Sequence, residues 1–220
     1  MNIKAYAVEF ISTFFLVLIV SLSAVFGLAG DFAPLAIGLG LAVLVYSAGH
    51  ISGGHLNPAV TLGVVLRGKL RKIDAIPYVI AQLLGAVAAV MVAKLMMPSA
   101  EVELANLEGK TVPIILAEFL FTFALVWAVL NTATAKANVN NSFFGLSIGG
   151  TVLVGAFTVG SISLGAFNPA VAVGLAMIGK LPVSLLAIYI VTQLVAGALA
   201  SLLFRAVAKN EDWFLEKDLK

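Results

Sequence analysis

Asn57-Pro58-Ala59 and Asn168-Pro169-Ala170 are one polar triplet used twice, each time after a glycine-containing stretch inside strongly apolar sequence. Proline costs nothing at the first turn of a helix, where its missing N–H would have no intrahelical partner. Asparagine just before it is a preferred N-cap. Each triplet therefore predicts the start of a short helix with an asparagine at its tip. A helix N-terminus carries roughly half a positive charge, and the asparagine amide adds a donor. Two such tips facing each other across a narrow lumen would hold a water oxygen, repel cations and interrupt a proton-conducting chain. A lone Asn-Pro only initiates a turn, so the weight rests on the duplication.

The surroundings are duplicated too. At an offset of 111 residues Ser52 matches Ser163, Gly54 matches Gly165 and Val60 matches Val171, while Gly68-Lys69-Leu70 matches Gly179-Lys180-Leu181. Tyr78 and Gln82 pair with Tyr189 and Gln193 at the same offset, and Glu9-Phe10 pairs with Glu118-Phe119 at 109. The chain is one half-sized unit used twice, over about residues 5–97 and 112–208 of a single domain.

What must position the triplets is a membrane. The 220 residues are 61% hydrophobic and 11% charged, against about a quarter charged in soluble domains. Apolar runs near 8–28, 35–48, 76–92, 112–130, 143–159 and 183–207 mostly reach the roughly 17–25 residues that cross a bilayer; the second is the shortest. Lys4, Arg67, Lys69, Arg71, Lys72, Lys136, Arg205, Lys209, Lys217 and Lys220 fall on one side of a six-span chain, and only Lys94, Lys110 and Lys180 on the other. This asymmetry predicts both termini in the cytoplasm. Three spans per half is an odd number, so the halves lie in opposite directions, with the functional site near the midplane where they meet. Residues 50–66 and 161–178 fit neither a loop nor a full span. Each is expected to be extended backbone followed by a half-length helix.

The chain here resembles the aquaporin or major intrinsic protein family, in a bacterial or archaeal style, over essentially residues 8–207. The most specific stretch is Gly49-His-Ile-Ser-Gly-Gly-His-Leu-Asn-Pro-Ala-Val-Thr-Leu-Gly63. The resemblance implies an all-α membrane protein of six transmembrane helices plus two re-entrant half-helices in an inverted repeat. It further implies a pore in each subunit of a homotetramer in the cell membrane, with Asn57 and Asn168 as the central donors.

One departure bears on selectivity. Most of the family place an arginine directly after the second triplet, as part of the narrow filter; this chain has Val171. The other filter positions carry over as Ile37, Ala156 and Gly165, giving a wide, aliphatic, uncharged constriction. No other arginine follows in the second half until Arg205, so no substitute charge is apparent. Ala172 stands where glycerol-conducting members have an aspartate. Cation exclusion is thereby shifted onto the two helix tips.

The remaining polar groups have milder readings. An intramembrane carboxylate is a functional candidate by default, and Glu9 and Glu118 could serve a coupled transporter as proton carriers. Their strict symmetry favours a structural role, accepting the N–H groups of the re-entrant segments, with Gln82 and Gln193 as braces. His50 and His55 are expected to line the cytoplasmic half of the pore, His50 by its side chain and His55 by backbone. With no Cys in the chain and no carboxylate beside them they make no metal site. Gly38, Gly85, Gly145, Gly149 and Gly197 are expected to serve close helix packing, and residues 210–220 to lie at the interface. The function expected is a passive channel for water and small neutral solutes, without enzyme activity, cofactor or nucleic-acid partner. The alternatives are a channel selective for glycerol, urea or another small neutral solute, with water secondary, and a coupled secondary transporter; loops this short do not favour an adhesion or scaffold protein.

Overall fold

The computed structural model describes residues 2–208; the terminal stretch expected at the interface lies outside them. Eight α-helices carry the fold: α1 (Ile3–Val20), α2 (Ala33–Ser52), α3 (Pro58–Leu66), α4 (Lys72–Met96), α5 (Thr111–Val129), α6 (Phe144–Ser163), α7 (Pro169–Ile178) and α8 (Val183–Val207). Counting the short turns that extend them, six are long and apolar enough to cross a membrane. The other two, α3 with nine residues and α7 with ten, are not.

The two halves repeat their packing. α1 lies on α4 as α5 lies on α8, and α3 reaches across to α8 as α7 reaches across to α4. Each half's first helix ends in a wide turn at the same place, Ser21–Val25 and Leu130–Thr134. Small residues permit the closest approaches. A Cβ on Gly149 would collide with the Gly38 carbonyl and lie 2.7 Å from Ala42 N, so α2 and α6 meet backbone to backbone. A Cβ on Gly197 would stand 2.7 Å from the Ala59 carbonyl, where α8 presses on the first turn of α3.

The helices run further than the hydropathy suggests. α2 continues through Gly49, His50 and Ile51 to Ser52 and α6 continues to Ser163, so the approaches expected to be extended shrink to the non-helical stretches 53–57 and 164–168, which are mostly left-handed. Polar residues end a hydropathic run but not a helix whose flank is buried in protein. Ser52 shows why: its hydroxyl is buried and donates to Glu9 Oε1 at 2.7 Å. Both helices stop on a left-handed residue, Gly53 at φ 86° and Leu164 at φ 66°. Glycine takes that conformation freely, whereas leucine is held there at a cost.

Candidate functional site

Residue by residue, the two re-entrant segments are built alike. Asn57 caps α3 by accepting from Ala59 N at 2.8 Å, and Asn168 caps α7 by accepting from Ala170 N at 2.8 Å. The residue before each asparagine is forced into the left-handed region, Leu56 at φ 52° and Phe167 at φ 47°. That bend presents its carbonyl to the opposite segment. Asn57 Nδ2 donates to Phe167 O at 2.9 Å, and Asn168 Nδ2 donates to Leu56 O at 2.8 Å. This reciprocal pair holds the tips of α3 and α7 together. It also spends one hydrogen of each amide, so each asparagine has one left to offer a permeant, not two.

The carboxylates hold the segments from behind. Glu9 accepts from Ser52 Oγ, His55 N, Leu56 N and Gln82 Nε2 at 2.7–2.9 Å. Glu118 accepts from Ser163 Oγ, Ala166 N, Phe167 N and Gln193 Nε2 at 2.7–3.1 Å. Both acids are fully buried. Tyr78 and Tyr189 complete the scaffold by donating to the carbonyls of Ser52 and Ser163 at 2.8 and 2.6 Å. The backbone N–H groups that precede each triplet are thus satisfied without water, as backbone at this depth must be.

In front of this scaffold lies a cavity of about 240 Å³ lined by Asn57, Asn168 and His55, and also by Ile37, Ala156, Gly165 and Val171. Its remaining walls are almost wholly aliphatic, with Leu16, Leu41, Val152 and Leu175 among them. A second cavity of about 570 Å³ opens below, bordered by Lys69, Tyr78, Asn138 and Phe144. His55 and Val129 line both, so the two cavities adjoin at that level.

Of the two histidines expected to line the pore, only His55 borders the cavities. His50 is exposed on α2 and lines neither cavity, because the helix carries on past it and turns it outward. His55 is buried and lines both cavities, its Nδ1 3.2 Å from Thr61 Oγ1. Thr61 is a site residue that the motif reading passed over. It donates to Asn57 O at 3.0 Å and accepts from Gln82 Nε2 at 3.0 Å. Its repeat mate is Ala172, and that break in symmetry was the available signal. Near Val171, Gly160 O is taken by Leu164 N at 2.8 Å at the end of α6, so the non-helical rim begins only at 164. Among the described residues no three His, Asp or Glu side chains converge as metal ligands would.

A family model described as Major intrinsic protein matches residues 1–160 and 146–218. The chain belongs to this family. Like the other major intrinsic proteins it is a multi-pass membrane channel and not an enzyme. It is 33% identical over 218 residues to glycerol uptake facilitator protein-like 6 of Lactiplantibacillus plantarum, covering 94% of this chain and 100% of that protein. Aquaporin NIP1-4 of Oryza sativa subsp. japonica is 35% identical over 181 residues, covering 78% of this chain and 65% of the relative. The X-ray structure of the aquaglyceroporin from Plasmodium falciparum superposes with a TM-score of 0.68 at 20% identity, over 93% of this chain and 94% of that one. At that identity the likeness speaks for the fold.

Proposed function

We propose that the joined cavities are the conducting path of a passive channel for water and small neutral solutes, one path per subunit. The observation that carries this reading is the crossed hydrogen bonding of Asn57 and Asn168. It fixes two positive helix tips and two amide donors at one level of the lumen. Ile37, Ala156, Gly165 and Val171 form the constriction on one side of that level, and His55 marks the way out on the other. Relatives named as a glycerol uptake facilitator-like protein and as an aquaporin support both water and small polyols as permeants. The constriction offers no charged donor, which favours solutes wider than water over strict water selectivity.

The location proposed is the cell membrane, in a homotetramer with both termini and the mouth bearing Lys69 cytoplasmic, since ten of the thirteen basic residues fall on that side. The two repeats cover about 5–97 and 112–208. Glu9 and Glu118 serve as scaffold acceptors: each is saturated by four donors, which leaves a proton carrier little room to act. The test is stopped-flow light scattering of proteoliposomes challenged with sucrose, glycerol and urea, with and without an ion gradient. Rapid sucrose-driven shrinkage, followed by reswelling in glycerol or urea and indifferent to the ion gradient, is the expected outcome. Shrinkage no faster than in empty vesicles, or flux that needs the ion gradient, would overturn it.

A further inference from the structure

The repeat that duplicates the asparagines also duplicates a lysine just past each half-helix, Lys69 after α3 and Lys180 after α7. A lysine at that place offsets the negative end of the helix dipole wherever it points. These two do more than that, because each borders a mouth: Lys180 lines the cavity that holds Val171 and Ile37, and Lys69 lines the other.

Lys180 is also held in place. Its backbone N–H donates to Leu175 O at 2.9 Å and its carbonyl accepts from Ala105 N at 3.0 Å. Its ammonium donates to the Glu103 carbonyl at 3.1 Å, so the charge is anchored by main chain rather than by a carboxylate. The acids of the same loop, Glu101, Glu103 and Glu108, are exposed, where water and salt screen them. A cation at the rim of a low-dielectric, aliphatic funnel acts over a longer reach than one on an open surface.

Resting on the channel reading above, we infer that Lys180 supplies, at the mouth, the fixed positive charge that the constriction lacks at Val171. Cations are turned away before they reach the asparagines, and the constriction stays wide and uncharged for neutral solutes. Lys69 is its repeat mate at the opposite mouth.

Because the chain has no Cys, a single introduced thiol reports the local potential. Ala24 is exposed and lines the cavity, whereas Leu28 is exposed and does not line it. Ala24→Cys and Leu28→Cys are each reacted with an anionic and a cationic methanethiosulfonate at low ionic strength, and the ratio of the two rates is compared. Lys180→Met should lower the anionic-to-cationic ratio of the Ala24→Cys thiol by roughly threefold, and Lys180→Glu by about threefold again, as expected for single charges at this range in a wet mouth. Lys180→Arg should restore the wild-type ratio, while the Leu28→Cys thiol and the ratio at high salt should change little. An unchanged ratio for the Ala24→Cys thiol in the Lys180→Glu background, or an equal change for the Leu28→Cys thiol, would overturn the inference. Osmotic water permeability of the same vesicles tests the channel reading separately: water flux that persists with an unmoved ratio sinks only the role of Lys180.

Discussion

Val171 concentrates the question of selectivity in one side chain. It borders the cavity with Ala156 and Gly165, both small, so a longer side chain has space there. The rim formed by 164–166 is a non-helical turn whose carbonyls can accept from a guanidinium. Val171→Arg should therefore narrow the opening and add donors and charge together. We expect glycerol or urea flux to fall roughly tenfold while water flux falls less than about threefold, since size and lining polarity decide which solutes pass. Stopped-flow reswelling measures both, and equal losses in a correctly assembled variant would mean that Val171 does not face the lumen. At the midplane the decisive property is charge. Asn168→Asp keeps the cap on Ala170 N but places a carboxylate against two positive tips and removes the donor to Leu56 O. Proton and sodium leak should rise by about tenfold, the equivalent of roughly 1.4 kcal/mol; leak at the wild-type level would remove the helix tips from the barrier.

Among the elements, the two half-helices were legible because proline and asparagine have fixed positional meaning at a helix start and because the triplet recurs at constant offset. The symmetric acids were legible too, since they recur at equivalent places in the repeat and no other acid lies in their spans. The ends of α2 and α6 were not, because hydropathy reads the lipid-facing side and these ends are decided by protein contacts such as Ser52 with Glu9. His50 was misplaced for the same reason: extending α2 by one turn rotates it out of the pore. The crossed asparagine bonds join residues 110 and 112 positions apart, and no local pattern encodes a contact of that range. The scaffold makes its own forecast. Glu118 ties α5 to α6, α8 and the 166–167 backbone through four hydrogen bonds. Bonds to a charged acceptor are worth about 1.5–3 kcal/mol each, and a buried donor stripped of its partner costs more than the bond it lost. Glu118→Ala should lower the thermal midpoint in detergent sharply and Glu118→Gln by less, because glutamine keeps one acceptor oxygen. Exposed Glu108→Ala is the control. A Glu118→Ala midpoint equal to that of the control would show the acid to be dispensable to the fold.

For the molecule as a whole, the question is whether permeation runs through each subunit, along the two joined cavities, or between subunits. The absence of Cys turns that into a measurement. Mercuric ion blocks a pore by capping a thiol that faces it, and its coordination there depends on thiolate sulfur. The native protein should keep its full osmotic permeability in mercuric chloride. Ala156 is part-buried and lines the same cavity as Val171, at the proposed constriction. A sulfur there, capped by mercury, would obstruct the proposed constriction. Ala156→Cys should therefore be blocked by mercury and recover fully when a small thiol is added, whereas Leu28→Cys, outside the cavity, should not respond. Because each subunit would own its path, partial labelling should reduce flux in proportion to the number of thiols capped, with no threshold. A block in the native protein would point to a ligand other than thiol. Insensitivity of a fully labelled Ala156→Cys would move the path away from these cavities altogether, and with it the roles given to Asn57, Asn168 and Val171.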